Sequence, residues 1–415
     1  MEKIIRYRDK IEKVGLAGVF IYGISLVAAK GGVNIGLALM TLSALFFIKD
    51  LKLNKIEKEY KFLLIILFLT PIFDIFSPGG VKSSKESISQ MYRLLPLFIA
   101  PIFLTSKERI EKFLYLITGS VLVNCVYGLN VYRLAKWNFK LRYQSITNIM
   151  DSAHALVGLS FIVLTLIVLE IKNKKYKRLA YLLPVYFLNL TCILLGQTRG
   201  AWLALIGGLG IFALLGLTRK MLFTVIVGIT LLIGFNVKNL QNNRYIKRLQ
   251  SISNAKKDDS SKIRLLMWEA STDIYLKHPV FGVGKDNSSS YYLEYFEKNN
   301  SYNKVAKWSV PMMKSVATAG NPHNMYFENL VDMGALFFGL LAFWGYILYI
   351  ALKATIKSEK NSDVYWLYLM STSMIIAYYI TGLTEASWGN FIKRHVYLVA
   401  IIVYISNKRL SNAQK

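Results

Sequence analysis

The chain has 415 residues, of which 54% are hydrophobic and 18% charged, and its 51 Lys and Arg against 24 Asp and Glu give a formal charge of +27. A soluble domain runs at roughly 45–50% apolar and about 25% charged, so a soluble class is disfavoured. The wealth of Leu, Ile, Val and Phe excludes disorder, and cations scattered between long apolar runs argue against a basic nucleic-acid-binding module. A polytopic membrane protein remains.

A helix needs about 20 largely apolar residues to cross the hydrocarbon. Read in chain order, apolar runs predict twelve spans, at 14–29, 31–48, 62–77, 88–105, 113–132, 151–170, 180–197, 201–217, 221–236, 325–352, 364–383 and 391–406. The fourth is interrupted by Arg93, Pro96 and Pro101, and the last opens on Lys393-Arg394. Val27-Ala28-Ala29 after a basic start also resembles a signal-peptide end, but the apolar pattern resumes at once, so an uncleaved first span is expected. Cys125 and Cys192 lie inside apolar runs and read as packing residues.

Cytoplasmic loops are enriched in Lys and Arg. With the N-terminus inside, the seven inner segments hold 26 of the 51 cations. Both termini then face the cytoplasm. One outer connection, about 133–150, breaks the trend with Arg133, Lys136, Lys140 and Arg142. The expected organisation is all-α: nine spans over 1–236, a large periplasmic loop over 237–322, and three spans with a cytoplasmic tail over 323–415. The loop carries 14 Lys and Arg against 7 Asp and Glu, and long loops cross the membrane largely regardless of charge. Within it, Ile263, Leu266, Met267, Ala270 and Ile274 recur at helical spacing and His278-Pro279 ends the pattern, which predicts an amphipathic helix lying along the outer membrane boundary.

The polar residues that invite chemistry cluster at the outer face. Arg199 lies in a tight turn between two spans, either snorkelling as an anchor or gripping an anion with its planar guanidinium. Arg264 follows Ile263 on the loop helix and reads as a solvated residue or a second anion ligand. His323 opens the tenth span after the Asn321-Pro322 turn, as an interfacial packing residue or as a base working near neutral pH. Arg93 is a further candidate, paired with Asp74. His154, His278 and His395 read as structural or interfacial. Asp258-Asp259 lacks the spacing of a nucleotide-sugar metal site, and no Cys, His and Asp cluster has metal spacing, so neither metal nor cofactor is expected.

Three strings taken together resemble the bacterial O-antigen ligase family. RGAWL at 199–203 is similar to its R-x3-L element. Arg264, Trp268 and HPVFGVGKDN at 278–287, with Gly282 and Gly284, resemble the "R…W…P…G-x-G" segment of its large loop. HNMYFENLVDMG at 323–334 matches H-N-x9-G, with Phe337 standing where the family has Gly, Thr or Tyr. The resemblance implies a membrane glycosyltransferase that takes a glycan from undecaprenyl pyrophosphate to a sugar of the lipid A core, or, in a related polymerase, to a growing glycan on the same carrier. It also implies pyrophosphate binding by Arg199 and Arg264, catalysis by His323, and support from Asn324, Trp268, Gly282 and Gly284. A twelve-span transporter or flippase is the rival from another class. It is disfavoured because transporters show related halves and midplane polar residues, whereas here a single loop breaks the symmetry.

Overall fold

The computed structural model describes residues 2–47, 57–138, 141–221 and 259–413. Among these, the secondary structure is helical, with no strand. In chain order the α-helices are α1 (Glu2–Ser25), α2 (Lys30–Leu45), α3 (Lys58–Phe76), α4 (Gly80–Met91), α5 (Leu95–Phe103), α6 (Lys107–Leu134), α7 (Ile149–Lys172), α8 (Leu179–Leu195), α9 (Arg199–Gly216), α10 (Asp259–Lys277), α11 (Ser289–Lys298), α12 (Val310–Thr318), α13 (Met325–Met333), α14 (Leu336–Lys357), α15 (Asp363–Gly382) and α16 (Phe391–Ala413).

Six helical segments among the described residues are long and apolar enough to cross a membrane: α6, α7, α8 with the turn before it, α9, α14 and α15. Helices α7 and α15 are buried over most of their length and form the centre of the bundle; the others wrap them and turn residues such as Phe187, Ile206 and Phe338 outward. The expected ninth span, 221–236, lies outside the described residues apart from its first position. The fourth expected span is not one helix. A 3-10 turn at Tyr92–Leu94 separates α4 from α5. The reason is in the residues: α4 is polar, with buried Ser83, Ser84 and Ser87, and Pro96 favours a new helix start. Nine-residue α5 is only about 14 Å long. The tenth expected span, 325–352, likewise breaks. Gly334, at φ 54°, ends α13, and α14 begins two residues later.

Ion pairs gather the cation-rich connections at one end of the bundle. Arg109 reaches Glu12 at 2.6 Å, Lys172 and Lys107 share Asp363, and Arg409 grips Glu57 at 2.6 Å. Asn407 donates to the Val364 carbonyl and ties the end of α16 to the start of α15. Such partly exposed pairs are worth about 0–1 kcal/mol each, so they mark the arrangement more than they hold it; the apolar core does that.

The segment 259–333 has a small core of its own. Ile263, Leu266, Met267, Ala270 and Ile274 of α10 are buried, as the helical spacing predicts, but against Tyr292, Phe296, Met313, Ala317 and Val331 of the same segment. The expectation that this face lies on the bilayer is therefore corrected. Neighbouring helices supply enough apolar surface to cover it.

A tight turn at 280–284 fastens this segment to the bundle. Val283 and Gly284 donate their N–H groups to the carbonyls of Val331 and Asp332, and Gly79 donates to Val283. Lys285 then pairs with Asp332 at 2.9 Å. Gly282 has φ 68°, and a Cβ there would stand 2.4 Å from the Asp332 carbonyl oxygen. Gly282→Ala is accordingly expected to cost roughly 1–3 kcal/mol or more through strain and collision, read as a lower melting temperature in detergent. An unchanged melt would mean that the turn is not docked as described.

Candidate active site

The end of the bundle opposite the ion-paired connections carries the charged cleft. Six elements converge there: the 141–148 segment, the N-termini of α7 and α9, α10, the turn before α13, and the connection 383–390 between α15 and α16. Each has a local reason to stop where it does. Asn148 caps α7 by accepting from the Asp151 N–H. Asn324 caps α13 by accepting from the N–H groups of Tyr326 and Phe327. Arg199 is the first residue of α9, so the positive end of that helix dipole faces the cleft.

Arg142, Thr198, Arg199, Arg264, Thr384 and Glu385 are among those lining one part of the cleft, with a cavity volume of about 70 Å³. Arg142, Asp151, His323, Glu385, Asn390 and Lys393 are among those lining the adjoining part, of about 390 Å³. Arg142 and Glu385 belong to both. Of the three residues singled out by motif, Arg264 and His323 are thus brought to a common carboxylate that the sequence did not single out, and Arg199 lines the same cleft.

Glu385 is the hub. Its carboxylate is 3.3 Å from Lys393 Nζ, 3.6 Å from His323 Nδ1 and 3.8 Å from Arg264 Nη2. At 3.6 Å the His323 contact is longer than a hydrogen bond. Burial pushes the Glu385 pKa up, but Lys393 and, to a smaller degree, His323 and His154 outweigh it and hold the carboxyl well below the usual carboxylate range. Glu385 is therefore an anion at neutral pH. Lys393, itself buried, reaches on to Asp151 at 3.1 Å, and Asn390 donates to the same carboxylate.

The histidine is held from three directions. Its φ of 49° puts it in the left-handed region, which costs energy and persists where surroundings enforce it. Asn321 Oδ1 accepts from its backbone N–H at 2.8 Å. Trp268 Nε1 donates to the Pro322 carbonyl, and the Trp268 ring stacks on Phe327. Asn324 Nδ2 donates to the Leu383 carbonyl and so ties the histidine turn to the connection that carries Glu385.

Arg142 bonds the Gly196 carbonyl through Nε and Thr198 Oγ1 through Nη2, at 3.1 and 2.8 Å. Arg199 Nη2 lies 3.5 Å from Ser261 Oγ on α10. Gly200 makes the close packing possible, since a Cβ there would stand 2.0 Å from Thr384 Oγ1.

Not every expected residue belongs to the cleft. Gly282 and Gly284 sit in the docking turn and line neither part of it. Arg93 does not pair with Asp74. It donates to the Gly389 carbonyl and lies over Phe391, whereas Asp74 accepts from Ser87 and from the Lys285 N–H. The intervening Ser87 satisfies the carboxylate first. Of the residues that sequence reasoning missed, Arg142 had a signal: it sits in the outer connection that violates the charge bias. Glu385 and Lys393 had none beyond being charges near a span end. Among the described residues no three His, Cys, Asp or Glu side chains are grouped to hold a metal ion.

The contact at Gly200 yields a double-mutant test. Gly200→Ala is expected to lower the melting temperature by driving Thr384 away, and Thr384→Gly is expected to restore most of it in combination. Additive losses would show that the two positions do not touch, because residues in contact couple and distant ones add.

No curated protein matches the chain. Residues 184–344 match the family model described as O-antigen ligase, a stretch that holds Arg199, Arg264, Trp268, His323 and Asn324 but neither Arg142 nor Glu385. That match, with the motif residues it spans assembled in one cleft, supports membership of the O-antigen ligase family.

Proposed function

We propose that the protein is an inverting membrane glycosyltransferase that moves a glycan from undecaprenyl pyrophosphate to a lipid A-core sugar at the periplasmic face of the bacterial inner membrane, without a metal. The observation that carries this reading is the convergence of Arg142, Arg199 and Arg264 on one cleft, beside a histidine next to an ionised carboxylate. A lipid-linked diphosphate is an anion confined to headgroup depth, and guanidinium groups at a helix N-terminus match it in charge and geometry. The gathering of the Lys- and Arg-rich connections at the other end supports the periplasmic side for the cleft.

In the proposed reaction the bond between the anomeric carbon and the diphosphate oxygen breaks, and its electron pair leaves with undecaprenyl pyrophosphate. The arginines stabilise the charge that develops there, a role fixed cations fill without reorganising. The acceptor hydroxyl oxygen attacks the anomeric carbon from the opposite side. Its proton passes to His323. With Nδ1 facing Glu385, the carboxylate favours the tautomer protonated on that nitrogen, which leaves Nε2 as the base. Glu385 is a positioning residue in this scheme, in the way a carboxylate orients the histidine of a hydrolase triad.

A repeat-unit polymerase would use the same geometry with a growing glycan as acceptor. Phe337, where the chain departs from the family pattern, is buried against Trp344 and lines neither part of the cleft, so it does not bear on the chemistry.

Purified protein in liposomes, given undecaprenyl-pyrophosphate-linked glycan and lipid A-core, is expected to form the conjugate; longer lipid-linked chains in its place would assign the polymerase. Arg142→Ala, Arg199→Ala and Arg264→Ala should abolish transfer in folded protein, and His323→Ala should lower it by about 10²–10⁴-fold. Normal transfer by His323→Ala rejects it as the base. Glu385→Gln, which keeps the shape and removes the charge, should slow transfer while leaving donor binding intact; equal loss of both would leave Glu385 a purely structural role. A chelator should leave transfer intact.

A further inference from the structure

A second cleft, with a cavity volume of about 70 Å³, opens between α3, α4, α13, α14 and the start of α16. It lies across the 385–394 connection from the arginine cleft: Glu385, Asn390 and Lys393 face one side, Trp388 and Arg394 the other. Its polar lining includes Asp74, Gln90, Lys285, Asn329, Asp332 and Arg394. Its apolar lining includes Leu63, Leu67, Met333 and Leu340, with Trp388 between the two.

The two clefts differ in charge. Three arginines dominate the first. In the second, two cations are balanced by two carboxylates: Lys285 is paired with Asp332 at 2.9 Å, and Asp74 accepts from Ser87 Oγ and the Lys285 N–H. Arg394 is committed to the carbonyls of Trp388 and Gln90 and lies over the Trp388 ring. A diphosphate entering here would meet no surplus positive charge and two buried carboxylates. A sugar meets what it needs: hydroxyls donate to carboxylates and accept from amide, ammonium and guanidinium groups, and the Trp388 indole offers an apolar face to its C–H groups. The apolar wall is continuous with helix α3, whose Ile65 and Phe68 are turned outward, so a ligand with lipid tails has a route from the bilayer.

We propose that this second cleft is a binding site for an uncharged sugar carried on a membrane lipid, separate from the diphosphate site and facing it across the 385–394 connection. If the proposed transfer function holds, this is where the sugar-bearing acceptor docks; the binding claim itself does not require transfer to be observed.

The test is equilibrium binding to the full-length protein in nanodiscs, with radiolabelled dihexosyl diacylglycerol as the neutral glycolipid and undecaprenyl pyrophosphate as the anionic one. The two probes are expected to bind without competing. Leu67→Trp, which fills the cleft from its apolar wall, should weaken the glycolipid at least tenfold and leave undecaprenyl pyrophosphate within twofold, which also shows the variant folded. Gln90→Ala, a milder change at a half-buried residue, should weaken the glycolipid several-fold with the same selectivity. The proposal is overturned by glycolipid affinity unchanged in both variants, by absence of glycolipid binding to the wild type, or by competition between the probes. Loss of undecaprenyl pyrophosphate binding alone would count against the transfer reading and leave this site standing.

Discussion

A single buried anion organises the cleft. Glu385 sits in a short connection between two helices and is 4% exposed. An isolated carboxylate there would take up a proton or drag water in with it. It stays charged chiefly because Lys393, helped by His323, outweighs the burial, and Arg264 lies 3.8 Å away. These come from α16, α10 and the turn before α13, so one charge balance fixes three separately folded elements against each other. Breaking one partner of such a buried group typically costs about 3–5 kcal/mol, which makes this network stiff compared with the exposed pairs at the other end of the bundle.

Stiffness here serves the proposed reaction. Arginines meant to stabilise a departing diphosphate must already be in place when charge develops on it. The approach of Gly200 to Thr384, the Trp268 bond to the Pro322 carbonyl and the Asn324 bond to the Leu383 carbonyl all press the same turn and connection together. Segment 259–333 takes part as a folded unit with its own small core, docked by the Gly282 turn, and not as a helix floating on the lipid.

Much of this was legible before any coordinates. The helical class follows from apolar run lengths, the α10 face from its spacing, and Arg199, Arg264 and His323 from motif strings. The less legible parts have physical reasons. Periodicity says that the α10 face must be covered but not by what, and protein covered it. Apolar content alone ran one span through 88–105, where the polar helix α4 and Pro96 divide the chain. Glu385 and Lys393 come together only because α15 and α16 return to the same end, a tertiary fact with no local signature. Arg142 was visible as a breach of the charge bias, and its place in the cleft gives that breach a cause.

The central claim is that the three guanidinium groups and His323 form one lipid-diphosphate site. The most direct measurement is a cryo-electron microscopy map of the protein in nanodiscs loaded with a non-hydrolysable undecaprenyl-pyrophosphate glycan analogue. The account predicts diphosphate density between Arg142, Arg199 and Arg264, with the first sugar directed toward His323. Diphosphate density resting elsewhere, with the three arginines still turned to their present protein partners, would contradict it.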